Sequence, residues 1–187
     1  MGAVEEDTTV LVVDDETAVA DAYTAQLQRE YDVRTAYGGE QALEAVDSAV
    51  DVVLLDRRMP TIPGDDVLDE IRDRELGCRV IMVTAVDPDF DIVEMPFEDY
   101  LQKPVDREDL HTAIQNQLAA SEYDEQVDEL LELNTKIGLL EEEKPTQELE
   151  QSEEIQEIKE RAENLKDDLD ETVTEFDEPA EAFKNLV

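Results

Sequence analysis

Four short apolar runs, each ending in a charged or hydroxyl-bearing residue, constrain this chain more than any other feature. Thr9-Val-Leu-Val-Val13 runs into Asp14-Asp15, and Asp51-Val-Val-Leu-Leu55 runs into Asp56. Val80-Ile-Met-Val83 runs into Thr84-Ala85, and Tyr100-Leu-Gln102 runs into Lys103. Continuous runs of this length mark strands buried on both faces, and helical patterns between them signal parallel crossovers. The expected class is α/β with a parallel sheet. In such sheets ligands gather at the carboxyl ends of the strands. Asp14, Asp15, Asp56, Thr84 and Lys103 are therefore expected at one end of one sheet.

Three carboxylates in one pocket need a cation. Two unit charges about 4 Å apart repel by roughly 4 kcal/mol at an effective dielectric near 20. Oxygen ligands with no Cys or His nearby suit Mg²⁺, which keeps several waters and takes one or two carboxylates plus a phosphate. A carboxylate held beside Mg²⁺, a hydroxyl and an ammonium is equipped to attack phosphorus and form an acyl phosphate. The chemistry suggested is transient phosphorylation of an aspartate.

Length and charge set the outer bounds. A chain of 187 residues holds one domain of common size plus an appendage. Its formal net charge of −38 is spread along it, −20 over residues 1–120 and −18 over 121–187. So acidic a surface over a well-patterned core suggests a halophilic protein, since at about 1 M salt the Debye length is roughly 3 Å. The plainer alternative is an ordinary acidic protein. A halophilic fold should loosen in low salt, and an unchanged far-ultraviolet circular dichroism spectrum would contradict that. No apolar stretch is long enough to span a membrane and the start lacks the pattern of a signal peptide, so a cytoplasmic chain with no membrane contact is expected. Cys78 stands alone, which removes disulfide scaffolds and zinc clusters, and is expected to pack as a small hydrophobe. His111, also alone, is expected as a surface or half-buried helix residue.

Taken in order, Ala18 to Glu30 reads as a helix with Val19, Tyr23 and Leu27 on one face. Residues 31–36 alternate as a half-exposed strand. Gly38-Gly39 turns the chain into a short helix through Leu43 and Val46. The loop after Asp56 carries two prolines and a glycine. A helix through Val67, Leu68 and Ile71 follows, with Gly77 expected to end it. Between Pro88 and Pro96 at most two or three helical turns fit. The Lys103-Pro104 bond, if cis, would aim the ammonium back over the strand ends.

Asp106 is a good N-cap for a helix with Leu110, Ile114 and Leu118 on one face. No Gly or Pro interrupts residues 105–137, and Val127, Leu130, Leu131 and Ile137 continue an apolar stripe. A helix continuous to about Glu143 would be roughly 57 Å long. Lys144-Pro145-Thr146 breaks it. Ile155, Ile158, Ala162, Leu165, Leu169, Thr172 and Phe176 then form a heptad seam. An antiparallel helical hairpin would hide both stripes, and two hairpins could form a four-helix bundle. Pro179 is expected to end the seam, with Ala182-Phe183 tucked back or frayed.

Residues 8–120 resemble the receiver domain of two-component response regulators. The resemblance rests on Asp14-Asp15, Asp56, the loop Asp56-x-x-Met59-Pro60-x-x-x-Gly64, Thr84-Ala85 and Tyr100-x-x-Lys103-Pro104. It implies a flavodoxin-like five-stranded parallel sheet of order 2-1-3-4-5. It also implies a phosphorelay in which a histidine kinase phosphorylates Asp56. Asp15 and Asp56 would hold Mg²⁺ with the backbone carbonyl of Arg58, and Asp14 would act directly or through water. Lys103, the Thr84 hydroxyl and the Ala85 N–H would bind the phosphoryl oxygens, and Tyr100 would swing inward as Thr84 moves. Thr84 and Lys103 are 19 positions apart, a few residues short of the receiver pattern, and the gap falls where a fourth helix is expected. That face is the dimerisation surface of many receivers, so signal is expected to leave through the following helices instead.

Residues 121–187 resemble the HalX domain that follows receivers in haloarchaeal regulators, an acidic hairpin or coiled coil that could support a homodimer or act as a spacer. Residues 1–7 are expected to be a disordered N-terminus. Three other readings compete. A DNA-binding transcription regulator needs a basic footprint that this chain lacks, although molar salt weakens that objection. An aspartyl-phosphate hydrolase usually places a second acid two residues after its nucleophile, where Arg58 stands. An unphosphorylated scaffold would not need the Asp, Thr and Lys set. A phosphoacceptor switch, rather than an enzyme, is the expectation.

Overall fold

The computed structural model describes residues 8–88 and 90–176, excepting the side chains of 90, 91, 143 and 171–176. The expectations for residues 1–7, Pro179 and Ala182-Phe183, and for the Thr172 and Phe176 side chains, lie outside the described residues. Five strands, β1 (Thr9–Val13), β2 (Asp32–Ala36), β3 (Val52–Leu55), β4 (Arg79–Thr84) and β5 (Asp99–Gln102), form one sheet. All pairings are parallel and the order is β2-β1-β3-β4-β5.

Alternation along the buried strands feeds two separate cores. Leu11, Val13, Val53, Leu55, Val80 and Met82 face α2 (Gly39–Ala45) and α3 (Gly64–Asp73). Val10, Val12, Val52, Leu54, Ile81 and Val83 face α1 (Thr17–Leu27) and the start of α4 (Arg107–Glu143). Burial on both faces is why β1, β3 and β4 read as unbroken apolar runs. At the edge, β2 is half-exposed apart from Ala36. Cys78 is buried in the first core, and burial pushes its thiol up.

Several element ends differ from the sequence expectation. Helix α1 stops at Leu27, and its buried residues are Ala20, Tyr23 and Leu27, with Val19 only half-buried. Helix α3 stops at Asp73, well before Gly77. There Glu75 takes the left-handed conformation (φ 55°), and Leu76 N–H donates to Ile71 O at 3.3 Å. This is the geometry of a Schellman stop, and Leu76 packs on the same core as Ile71. Between β4 and β5, within the limit of two or three turns set by Pro88 and Pro96, the chain forms a five-residue 3-10 helix, Phe90–Glu94.

Contacts divide the chain into two compact units, one ending at Ala119 and the other beginning at Ala120. Helix α4 begins with a reciprocal cap. Asp109 N–H donates to Asp106 Oδ1 at 2.9 Å, and Asp106 N–H donates to Asp109 Oδ2 at 3.3 Å. Leu110, Ala113 and Ile114 are buried beneath it. At 37 residues it is about 56 Å long.

In the second unit Pro145 starts a short helix, α5 (Thr146–Gln151), where the sequence predicts only a break. Helix α6 (Glu153–Phe176) buries Ile155, Ala162, Leu165 and Leu169, with Ile158 half-buried. It runs antiparallel to α4, with Arg161 paired to Glu129 and Lys159 to Glu141. Leu131, expected in the apolar stripe of α4, instead points outward at 60% exposure. Val127, Leu130, Leu133, Ile137 and Leu140 are the half-buried apolar positions. No described helix is long and apolar enough to cross a membrane.

Candidate functional site

Strand register assembles the site. Val13 pairs with Leu55, so Asp14 and Asp56 leave adjacent strands at one level. Asp14 N–H donates to Ala36 O and Asp56 N–H to Val13 O, extending each ladder by one bond. Thr84 pairs with Gln102, and the Lys103 N–H donates to Thr84 O at 2.9 Å, which sets Lys103 beside the strand ends. The Lys103-Pro104 bond is cis.

These side chains converge. One carboxylate oxygen each from Asp14, Asp15 and Asp56 lies within 4.8 Å of the others. Lys103 Nζ stands 2.5 Å from Asp14 Oδ2 and 3.6 Å from Asp56 Oδ1. Asp14, Asp56 and Thr84 are buried, Asp15 and Lys103 partly so. Burial raises the Asp56 carboxyl above its usual range. Lys103, a hydrogen bond from Thr84 and the Arg57 N–H pull against that rise, while Asp14 adds to it. Burial by itself would lower the Lys103 ammonium, but the Asp14 bond and the charges of Asp56 and Asp14 hold it above its usual value.

Three acids against one ammonium leave a formal excess of two negative charges, all on oxygen. That donor set fits a hard divalent cation such as Mg²⁺, and thiol or imidazole ligands are absent from the cluster. Of the remaining expected residues, Ala85 is exposed just past Thr84 and Arg58 is exposed two residues past Asp56. Tyr100 is half-buried against Phe97. Its hydroxyl donates to Val86 O at 2.7 Å, and Val86 N–H in turn donates to Thr84 Oγ1 at 3.3 Å. A continuous path therefore links Asp56, Thr84, Val86 and Tyr100.

The loop after Asp56 closes tightly. Gly64 N–H donates to Arg57 O at 2.8 Å, and a Cβ on Gly64 would lie 2.2 Å from Asp56 O, so only glycine fits there. Two features beside the site carry no mark in the sequence. Tyr23, read as a core residue of α1, is within electrostatic reach of Lys103, Asp14 and Asp56. Arg57 and Asp65 form an ion pair beside the loop. Nothing in the spacing distinguishes Tyr23 from an ordinary core residue, or Arg57 and Asp65 from ordinary surface residues.

An acidic cluster, a hydroxyl and an ammonium at the carboxyl ends of a 2-1-3-4-5 parallel sheet define a receiver. The chain belongs to the response regulator receiver domain family, whose model matches residues 10–115, and a HalX domain follows over 119–187. It is 46% identical over 158 residues to a Haloferax volcanii protein named "Putative transcriptional regulator", covering 84% of this chain and 27% of that one. It is 34% identical to the alkaline phosphatase synthesis transcriptional regulatory protein PhoP of Bacillus subtilis, covering 60% of this chain and 49% of the relative. The chain thus spans half or less of these relatives' lengths. A CheY-like receiver domain protein from Methanospirillum hungatei superposes with TM-score 0.57 at 26% identity, covering 63% of this chain and 98% of the other. TrrA of Thermotoga maritima, solved in complex with Mg(2+)-BeF, superposes with TM-score 0.51 at 29% identity, covering 59% and 98%.

Proposed function

We propose that this response regulator is a phosphoacceptor switch in which Asp56 takes a phosphoryl group from the phosphohistidine of a histidine kinase. The observation that carries the reading is the buried Asp56 carboxylate, set among Asp14, Asp15 and Lys103 with the Thr84 hydroxyl on it. Asp14, Asp15, Asp56 and the Arg58 carbonyl would hold Mg²⁺, which supplies charge neutralisation at the transferring phosphoryl. The solved TrrA complex with Mg(2+)-BeF supports that assignment.

An Asp56 carboxylate oxygen attacks phosphorus as the P–N bond to the donor imidazole breaks. Lys103 and the Ala85 N–H receive phosphoryl oxygens, and the Thr84 hydroxyl turns toward another. Turning removes the acceptor of the Val86 N–H, and Tyr100, tied to Val86 O, follows. We place the receiver at 8–120 and the HalX hairpin at 121–187, and the change passes through α4 to that hairpin, which pairs with a second copy. The chain works in the cytoplasm as a switch without turnover of its own beyond its phosphate.

Control of transcription is favoured by the names of the relatives. With net −18 over residues 121–187, direct DNA contact is the weaker form of that reading, and retention on DNA at high salt would revive it. Incubation with Mg²⁺ and acetyl phosphate in molar KCl, followed by intact-mass measurement and light scattering, tests the proposal. One added phosphoryl group and larger particles are expected, and Asp56→Asn should show neither.

A further inference from the structure

The loop from Arg57 to Asp65 is clamped at its two ends by the same pair of residues. Arg57 Nε donates to Asp65 Oδ1 at 2.9 Å and its Nη2 donates to Asp65 Oδ2 at 3.1 Å, a two-point fork. The Arg57 side chain is 11% exposed and that of Asp65 41%, so the fork is half-shielded, and its two-point geometry rather than burial is what distinguishes it from a simple surface ion pair. One residue inward, the Arg57 carbonyl accepts from Gly64 N–H at 2.8 Å. Between the clamps lie Arg58 to Pro63. This stretch carries a left-handed Thr61 (φ 68°) and an Ile62 carbonyl packed so close to Gly39 that a Cβ there would approach it to 2.5 Å. Little slack remains in the backbone that carries the Arg58 carbonyl.

We infer that the Arg57–Asp65 ion pair is a positioning device for the divalent-cation site, fixing the loop so that the Arg58 carbonyl faces the acidic cluster. The inference rests on the proposed metal-assisted reading of that cluster. Asp65 lies in the first turn of α3, a rigid anchor, while Arg57 directly follows the acceptor. The fork therefore ties the metal-facing backbone to a helix rather than leaving it to solvent. Groups that orient metal ligands from behind typically change affinity 10–100-fold when removed.

Electrostatics and positioning predict opposite signs, which makes the test sharp. Removing the Arg57 charge near a cation site should tighten Mg²⁺ if charge alone matters. If the fork holds the loop, removal should weaken it. The experiment is calorimetric Mg²⁺ titration of the full chain in molar KCl, comparing the parent with Arg57→Ala and Arg57→Lys, and using Asp15→Asn to define the specific isotherm. Hydrogen exchange of the loop amides is followed in parallel.

Arg57→Ala is expected to weaken Mg²⁺ about 10-fold. Arg57→Lys, with charge kept and the fork lost, is expected to weaken it less but measurably. Loop amides should exchange faster in both, while β1 and β3 amides stay protected. If Arg57→Ala fails to fold, Arg57→Lys and its loop exchange decide the matter. A parent that binds Mg²⁺ while both variants bind as tightly or tighter overturns the positioning role and leaves the phosphoacceptor reading standing. A parent with no isotherm sensitive to Asp15→Asn overturns both.

Discussion

Lys103 and Asp14, 89 positions apart in the chain, meet through an Nζ to Oδ2 contact of 2.5 Å at the carboxyl end of the sheet. Asp14 is 2% exposed and Lys103 14% in their side chains, so this pair is shielded from solvent. Removing the ammonium leaves buried carboxylates facing one another. Breaking a buried pair typically costs about 3–5 kcal/mol. Lys103→Met is expected to lie near the lower end of that range, because Lys103 keeps some exposure. Urea denaturation in Mg²⁺-free molar KCl measures the loss, and added Mg²⁺ should restore more stability to the variant than to the parent.

The pH dependence of Asp56 has a definite sign. Burial raises its folded-state value above the ordinary 3.8, so the folded chain holds this proton more tightly than the unfolded chain. The resulting stabilisation is present in full below 3.8 and is lost as pH rises through the raised folded value. At pH 7 without Mg²⁺, Asp56→Asn is therefore expected to melt above the parent. That advantage should shrink toward zero as pH falls below 3.8. A variant that melts lower at pH 7 would show that Lys103 and Thr84 outweigh burial.

Tyr100 is coupled to the site through one hydroxyl. Tyr100→Phe removes the 2.7 Å bond to Val86 O, at a cost of about 1 kcal/mol. Phosphoryl uptake should proceed at the parental rate, since the Tyr100 hydroxyl bonds Val86 O rather than the acceptor. The change in amide exchange around Val86 that accompanies uptake in the parent should be lost.

Glu75 holds a left-handed conformation that costs a residue with a Cβ roughly 1–2 kcal/mol, and it sets a negative charge at the end of α3 where the helix dipole disfavours one. Glu75→Gly is expected to stabilise the fold by about 1 kcal/mol in thermal melts, with Mg²⁺ affinity unchanged.

The sheet was legible because burial on both faces writes itself as unbroken apolar runs, and the convergence of Asp14, Asp15, Asp56, Thr84 and Lys103 followed from their positions just past those runs. Features that depend on geometry rather than composition were not legible. Gly77 looked like the end of α3 because glycine usually adopts the left-handed conformation, but Glu75 adopts it instead, with the half-buried Leu76 packed on the core in compensation. Leu131 fitted the apolar stripe by type, yet it stands about 100° round the helix from Leu130 and is 60% exposed. Helix α5 is too short for periodicity to register. The Arg57–Asp65 fork is hidden because ion pairs across a loop leave no spacing rule.

Residue-level trapping of the acyl phosphate decides whether Asp56 is the phosphoacceptor. After exposure to Mg²⁺ and acetyl phosphate in molar KCl, borohydride reduction converts a phosphorylated aspartate to homoserine, which peptide mass mapping locates. Conversion is expected at Asp56 alone, dependent on Mg²⁺ and reduced in Lys103→Met. Conversion at Asp14 or Asp15, or none at all with the fold intact, would contradict it.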